Sequence, residues 1–220
     1  MGTDIHLAVE VRKNGRWEAV MWPNRWHGRW DDEPLLTANT HMNRDYDLFA
    51  ILGNVRNGRG FAGVVTGDGF AYISDCRGLP DDISPEAKEV ADTDHSHSWV
   101  SFKEILDFDW TQVTRHRGFV TLQEFERWDR LKEWDVWPDS WYGDTSGQKI
   151  SNEEARQLLK DHKQNLDEFL KDSAWKVHTL ITWEATYADS AKQLWITWMP
   201  RLLALKQDPE NVRLVFSFDS

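Results

Sequence analysis

Two short patterns in this 220-residue chain carry metal-ligating chemistry. Asp4 and His6 are two apart, and so are His95 and His97, with Asp92 and Asp94 just ahead of the second pair. On a strand, residues two apart face the same way at a separation of about 7 Å. A D-x-H meeting an H-x-H would therefore offer imidazole and carboxylate ligands to zinc or another divalent ion, and such an ion would activate a water for hydrolysis. The competing reading makes Asp4 and His6 ordinary polar strand positions and His95-Ser-His-Ser a loop beside a helix. Spacing alone does not bring the pairs together, so Asp4, His6, His95 and His97 stand as metal candidates, with a divalent ion as the candidate cofactor.

A second set suits an anion. Arg25-Trp26-His-Gly-Arg-Trp30 interleaves cations and rings, a pattern able to stack a base and hold a phosphate; otherwise it is a surface loop pinned to the core by its Trp residues. Arg77-Gly-Leu-Pro80 lies between an expected strand and a helix start. It is an anion site built from an Arg and free backbone N–H groups, or a turn in which Arg77 pairs with a nearby Asp. Arg56 and Trp99 complete the candidate ligand-binding set of Asp4, His6, Arg25, Trp26, Trp30, Arg56, Arg77, His95, His97 and Trp99. Gly58-Arg-Gly60-Phe-Ala-Gly63 matches G-x-G-x-x-G letter for letter. A short helix is expected before it and a strand after it, the reverse of what dinucleotide binding needs. What remains is a loop or hairpin able to close over a ligand.

Other reactive types read as structural. Cys76 is the one cysteine, so no internal disulfide forms and no base for a thiol nucleophile can be placed. His162 falls on the apolar face of its expected helix. His178 falls on the more polar face of its strand, with no evident partner. G-x-S-x-G, P-loop and H-E-x-x-H motifs do not occur.

The formal net charge of −11 counts against nonspecific binding to DNA or RNA, which needs clustered Lys and Arg. A few local cations still suffice for a small anion. No apolar run suggests a membrane span and the N-terminus does not read as a secretory signal, so a cytoplasmic protein is expected. The 14 Trp residues are unusual. Most are expected in the core and a few on a stacking surface.

These residues need a scaffold. Asp4–Arg12 alternates as a half-buried strand, with Ile5, Leu7, Val9 and Val11 opposite His6, Glu10 and Arg12. Asn14-Gly15 makes a hairpin turn into a return strand at 16–22. Asp45 caps a short helix that stops at Gly53. A strand is expected at Phe70–Ser74, and Ser84-Pro85 starts a helix. Capping boxes stand at Ser101-Phe-Lys-Glu104, Thr121-Leu-Gln-Glu124 and Ser151-Asn-Glu-Glu154. A strand at 175–187, a helix at 188–205 kinked by Pro200, and a strand at 212–218 permit a parallel crossover. The expectation is an α+β chain of one domain, 1–220: a mixed, mostly antiparallel sheet including both termini, helices on one face, and a Trp-rich, loop-rich helical section over 80–150.

Several blocks together resemble a family of uncharacterised phage and bacterial, notably actinobacterial, proteins: Met1-Gly-Thr-Asp-Ile-His6, Tyr46-Asp-Leu-Phe-Ala-Ile-Leu-Gly53 with Val55-Arg-Asn57, Arg77-Gly-Leu-Pro80, His95-Ser-His-Ser-Trp99 and Val212-Arg-Leu-Val-Phe-Ser-Phe-Asp219. The resemblance spans most of the chain. The stretch 57–69 is longer here than in that family's pattern. The resemblance carries over no catalytic residue and implies a setting, a phage-borne protein acting on host metabolism or defence. The leading expectation is a binder of a small nucleotide-like or anionic ligand that sequesters a host immune signal. The alternatives are a metal-dependent hydrolase or phosphodiesterase, and an inhibitor that binds a host protein. Partners other than the ligand are expected to exclude nucleic acid and membrane, and a homo-oligomer is allowed.

Overall fold

A computed structural model describes residues 4–27, 34–40, 44–61, 64–134 and 136–219. It has an α+β fold with both terminal strands in one sheet. β1 (Asp4–Lys13) turns through Asn14 and Gly15, both at positive φ, into β2 (Arg16–Ala19). A two-residue ribbon follows, β3 (Trp22–Pro23) with β4 (Leu36–Thr37). Asp45 caps α1 (Tyr46–Gly53) by accepting from the Leu48 N–H, and β5 (Gly58–Phe61) pairs with β6 (Val64–Thr66). Ser84 caps α2 (Pro85–Ala91). Beyond it come β7 (His95–Ser101), α3 (Phe102–Asp107), β8 (Val113–Thr121) and α4 (Leu122–Leu131). The chain continues through β9 (Gln148–Ile150), α5 (Asn152–Asp161), α6 (Leu166–Ser173) and β10 (Val177–Thr186). It ends with α7 (Tyr187–Ser190), a π-helical turn at Leu194–Trp198, α8 (Met199–Ala204) and β11 (Val212–Asp219).

The first sheet is antiparallel, in the order β2-β1-β11-β7. Its register sets Ile5 against Phe218, Leu7 against Phe216 and Val9 against Leu214, so alternate side chains build one apolar floor. On it α1 places Phe49 edge-on to Phe216 and Phe218, with ring centroids 5.6 and 5.2 Å away. Leu194, Trp198 and Leu202 close the same core. Each fully buried side chain of this size contributes about 1.5–3 kcal/mol.

The opposite face of this sheet holds an ion pair where solvent was expected. Glu10 and Arg213 are cross-strand partners at 0% and 3% exposure. Arg213 Nε donates to Glu10 Oε2 at 2.7 Å and its Nη1 to Asp82 Oδ1 at 2.8 Å. The Ser84 N–H at the start of α2 donates to Glu10 Oε1 at 2.7 Å. The helices-on-one-face layering thus gains one member on the other side, α2, held there by this pair.

The second sheet has the order β8-β10-β9, antiparallel then parallel. Val120, Ile181 and Trp183 face inward against Leu122 and Phe125 of α4 and Ala155 of α5. Arg115, Arg117, Thr182 and Glu184 face outward and are exposed.

Several expectations change. β10 and β11 do not form a parallel crossover, because β11 has β1 on one side and β7 on the other and offers β10 no edge. Phe70–Ser74 is not a strand. Its backbone is held by other groups: Phe70 N–H by Asn57 Oδ1, Ala71 N–H by the Tyr187 hydroxyl and Ile73 N–H by the Ile51 carbonyl. His95-Ser-His-Ser is a strand, not a loop. The section 80–150 supplies β7 to the first sheet and β8 and β9 to the second. The Thr121 box is half formed, since the Glu124 carboxylate turns to Arg127 and the Asp139 N–H. The helix after Ser151 breaks at His162, which is part-buried, bonds the Leu158 carbonyl and stacks on Phe169. Instead of a simple kink, Pro200 follows a π turn in which Met199 N–H reaches back to Leu194.

At the start of α1, burial raises the Asp45 carboxyl to about 6, and burial with the Asp45 charge raises Asp47 to about 8. An unfolded Asp titrates near 3.9. Between that value and these, the folded chain holds protons that the unfolded chain has released, so stability falls as pH rises from about 4 to 8. Asp47→Asn removes that cost. It is expected to raise folding stability increasingly from pH 5 to pH 9, by about 1–2 kcal/mol at the top after discounting for partial exposure, read as a growing gain in melting temperature. An identical gain at both pH values would contradict this.

Candidate functional site

The metal candidates do not converge. β11 lies between β1 and β7. His95 is paired with Phe218 and stacks on its ring, on the Ile5 side of the sheet, whereas His6 is opposite Ser217 on the other side. Each candidate also has its own partner. His6 Nε2 is 3.1 Å from Asp219 Oδ2, Asp4 is gripped by Arg44, and His97 Nε2 is 2.8 Å from the Thr93 carbonyl. Among the described residues, no three His, Cys, Asp or Glu side chains come together to hold a metal ion.

The other candidates divide. Arg25 lies over its neighbour Trp26, 4.8 Å from the ring, while Trp30 falls outside the described residues. Arg56 lies over Tyr46 at 5.7 Å, back against α1. Arg77 and Trp99 do meet, in a groove of about 740 Å³. The Arg77 guanidinium sits 4.9 Å from the Trp99 ring and forks onto Glu104, whose carboxyl it holds down at about 2 with help from Ser101. The carboxylate partner is Glu104 rather than a neighbouring Asp. Arg213 lies 4.1 Å from the Trp17 ring and 5.8 Å from Trp99, so rings and guanidiniums alternate.

The charge balance of that groove disfavours an anion. Arg12, Arg77 and Arg213 line it, but so do Asp81, Asp82 and Glu210, and Glu10 and Glu104 are bound behind. The stack satisfies itself, as a structural cation–π ladder does.

A cavity of about 370 Å³ on the second sheet has the opposite balance. One wall is the glycine-rich hairpin β5–β6, the other the outer face of β8 and β10. The hairpin is fixed at two places. Arg59 Nη2 donates to the Arg115 carbonyl at 2.9 Å, and Asp68 bridges Arg59 and Arg115. Gly67, at φ +57°, sits where a Cβ would be 2.6 Å from Thr114 Oγ1, so only glycine allows this approach.

The lining is Arg59 and Arg117 with Gly60, Gly118, Gly143, Val65, Phe119 and Leu180, with no carboxylate among the described residues. Arg59 and Arg115 share the single Asp68, and Glu184 stands cross-strand from Arg115. Arg117 has no carboxylate partner among the described residues. Arg59 is paired with Asp68 through Nε, while its Nη1 is buried without a hydrogen-bond partner among the described residues. On the inner face behind, His116 is held down at about 4 by burial and then by the Arg59 charge, and Ser190 bonds its ring. The chain's net negative charge is therefore locally reversed here, beside three apolar side chains.

No protein family, curated protein or solved structure matches this chain. Functional inference rests on the chemistry of the site itself.

Arg59 lies inside the glycine stretch that the sequence marks as a closing hairpin. Arg117 goes unmarked because β8 hides its strand pattern. The available signal was the strict alternation of Arg115 and Arg117 with Thr114, His116 and Gly118. His178, read as partnerless, is buried under the 143–147 loop, where its Nδ1 is 3.1 Å from Thr145 Oγ1. Among the described residues, no helix is long and apolar enough to cross a membrane.

Proposed function

We propose that this protein binds a small anionic, nucleotide-like ligand between the β5–β6 hairpin and the outer face of the second sheet. The supporting observation is a pocket with two guanidiniums and no carboxylate in a chain of net charge −11. Its volume lies within the usual range for small-ligand sites. Arg117 meets the anionic group, for which a charge-assisted hydrogen bond contributes about 1.5–3 kcal/mol. Phe119, Leu180 and Val65 take the apolar part of the ligand, and Gly60 and Gly143 let it approach the backbone.

Among the described residues the lining holds no Ser, Cys, His, Asp or Glu to serve as nucleophile or base, which favours binding over hydrolysis. The resemblance to phage-associated proteins supplies the setting, the cytoplasm of an infected cell, where sequestering a host signal fits a binder.

Amide chemical-shift mapping with inorganic phosphate and nucleoside monophosphates tests this. Shifts at 58–60, 64–66 and 115–119 are expected. Shifts confined to 77–82 and 99–101 would move the site to the Trp17 groove, and no shifts with any probe would retire the proposal.

A further inference from the structure

Beyond the pocket, the outer face of the second sheet continues as a row of rings. Tyr142 pairs with Phe119 through both backbone hydrogen bonds, at 2.8 and 2.9 Å. Directly opposed residues share a face, so the Tyr142 ring is on the Phe119 side. Lys149 lies 4.8 Å from the Phe119 ring. Past Tyr142, at 5.5 Å between centroids, is Trp175, 66% exposed.

The backbone of Trp175 is unusual. It follows α6 at φ 64°, the left-handed helix-ending position where glycine is the ordinary choice. A bulky residue is strained there. The conformation is held by its surroundings. Lys176 N–H reaches the Ser173 carbonyl at 3.0 Å, and Gln148 N–H reaches the Lys176 carbonyl at 2.7 Å. Gly147 packs where a Cβ would be 2.9 Å from the Trp175 carbonyl oxygen. A strained backbone thus holds a large ring out in solvent, at the end of a row that begins at an arginine with no carboxylate partner among the described residues.

We infer that the site takes a short single-stranded oligonucleotide, with a phosphate at Arg117 and a base stacked on Trp175. Arg117 and Phe119 are about 7 Å apart along β8, and Tyr142 adds about 5 Å across the edge. Phosphate-to-base reach over such a row is the arrangement by which sheet-borne aromatics bind single strands. The net charge of −11 does not forbid it, because screening at physiological salt limits each charge to about 8 Å. Lys149 is paired with Asp144 at 2.5 Å, so the phosphate contact falls to Arg117, beside which the cost of distant carboxylates is small. One or two phosphates are neutralised, so log K is expected to fall with log salt at a slope of only about −0.7 to −1.4.

The inference rests on Arg117 holding a phosphate, and its test separates the two. Uridine monophosphate and the tetranucleotides of deoxythymidine and of uridine are titrated against wild type, Trp175→Gly and Trp175→Phe. Tetranucleotide is expected to bind more tightly than the monophosphate. Trp175→Gly removes about 5- to 150-fold of that affinity, leaves monophosphate binding unchanged, and holds or raises the melting temperature because the backbone strain is relieved. Trp175→Phe keeps most of the gain. Binding of either tetranucleotide supports the inference, and the tighter one identifies the sugar. Equal affinity for monophosphate and tetranucleotide, or full tetranucleotide affinity in Trp175→Gly, overturns it while the pocket stands. Absence of binding by every probe overturns both.

Discussion

Arg213→Ala lowers folding stability by about 3–5 kcal/mol, a large share of what a domain possesses. The reason is what it leaves behind. Glu10 is fully buried beside Val9 and Val11 on β1, and its one remaining donor is the Ser84 N–H. A buried carboxylate without its cation must stay charged at high cost or take up a proton. The pair also joins strands from the two ends of the chain, which meet in the register of β1 and β11. Replacing both partners together, Glu10→Leu with Arg213→Met, is expected to cost less than Arg213→Ala alone, since no orphaned charge remains. Urea denaturation of the three variants checks this. A double variant less stable than the single one would show that the pair is worth more than the desolvation it suffers.

Arg117→Ala is expected to weaken nucleotide binding by about 10- to 150-fold, the equivalent of one lost charge-assisted hydrogen bond, while changing stability by less than about 0.5 kcal/mol. The side chain is exposed and has no carboxylate partner among the described residues, so nothing folded depends on it. Arg77→Ala should behave in the opposite way. It releases Glu104 and the Trp99 ring, costs stability, and leaves nucleotide binding intact. This crossed pattern distinguishes a binding arginine from a structural one. Arg117→Glu should abolish binding altogether by placing like charge on the anion.

Where a signal is local, the sequence could be read. Asn14-Gly15 sets its own turn, Asp45 and Ser84 cap the helices that follow them, and the boxes at Ser101 and Ser151 close as spaced. β1 and β11 stand out because Ile5, Leu7, Val9 and Leu214, Phe216, Phe218 alternate cleanly. β8 does not stand out, because its inward positions before Val120 are Thr114, His116 and Gly118, none of them a strong hydrophobe, and its outward ones mix Val113 and Phe119 with two arginines. β7 begins with His95-Ser-His-Ser and is hidden for the same reason. Alternation also put Glu10 in solvent. Only the pairing with Arg213, 203 residues away, explains its burial. The site was half visible. The glycine stretch marks the hairpin but neither Arg59 nor Arg117 is among the sequence's candidates, and joining them required knowing which strand edge the hairpin docks against, which is long-range information.

The proposed binding of an anionic, nucleotide-like ligand on the outer face of the second sheet depends on Arg117. Isothermal titration of wild type and Arg117→Ala with a panel of nucleoside mono-, di- and cyclic phosphates tests it most directly. The expected result is binding of at least one member by wild type, weakened tenfold or more in Arg117→Ala at unchanged melting temperature. No heat with any member, or equal affinity in the two proteins, would contradict it.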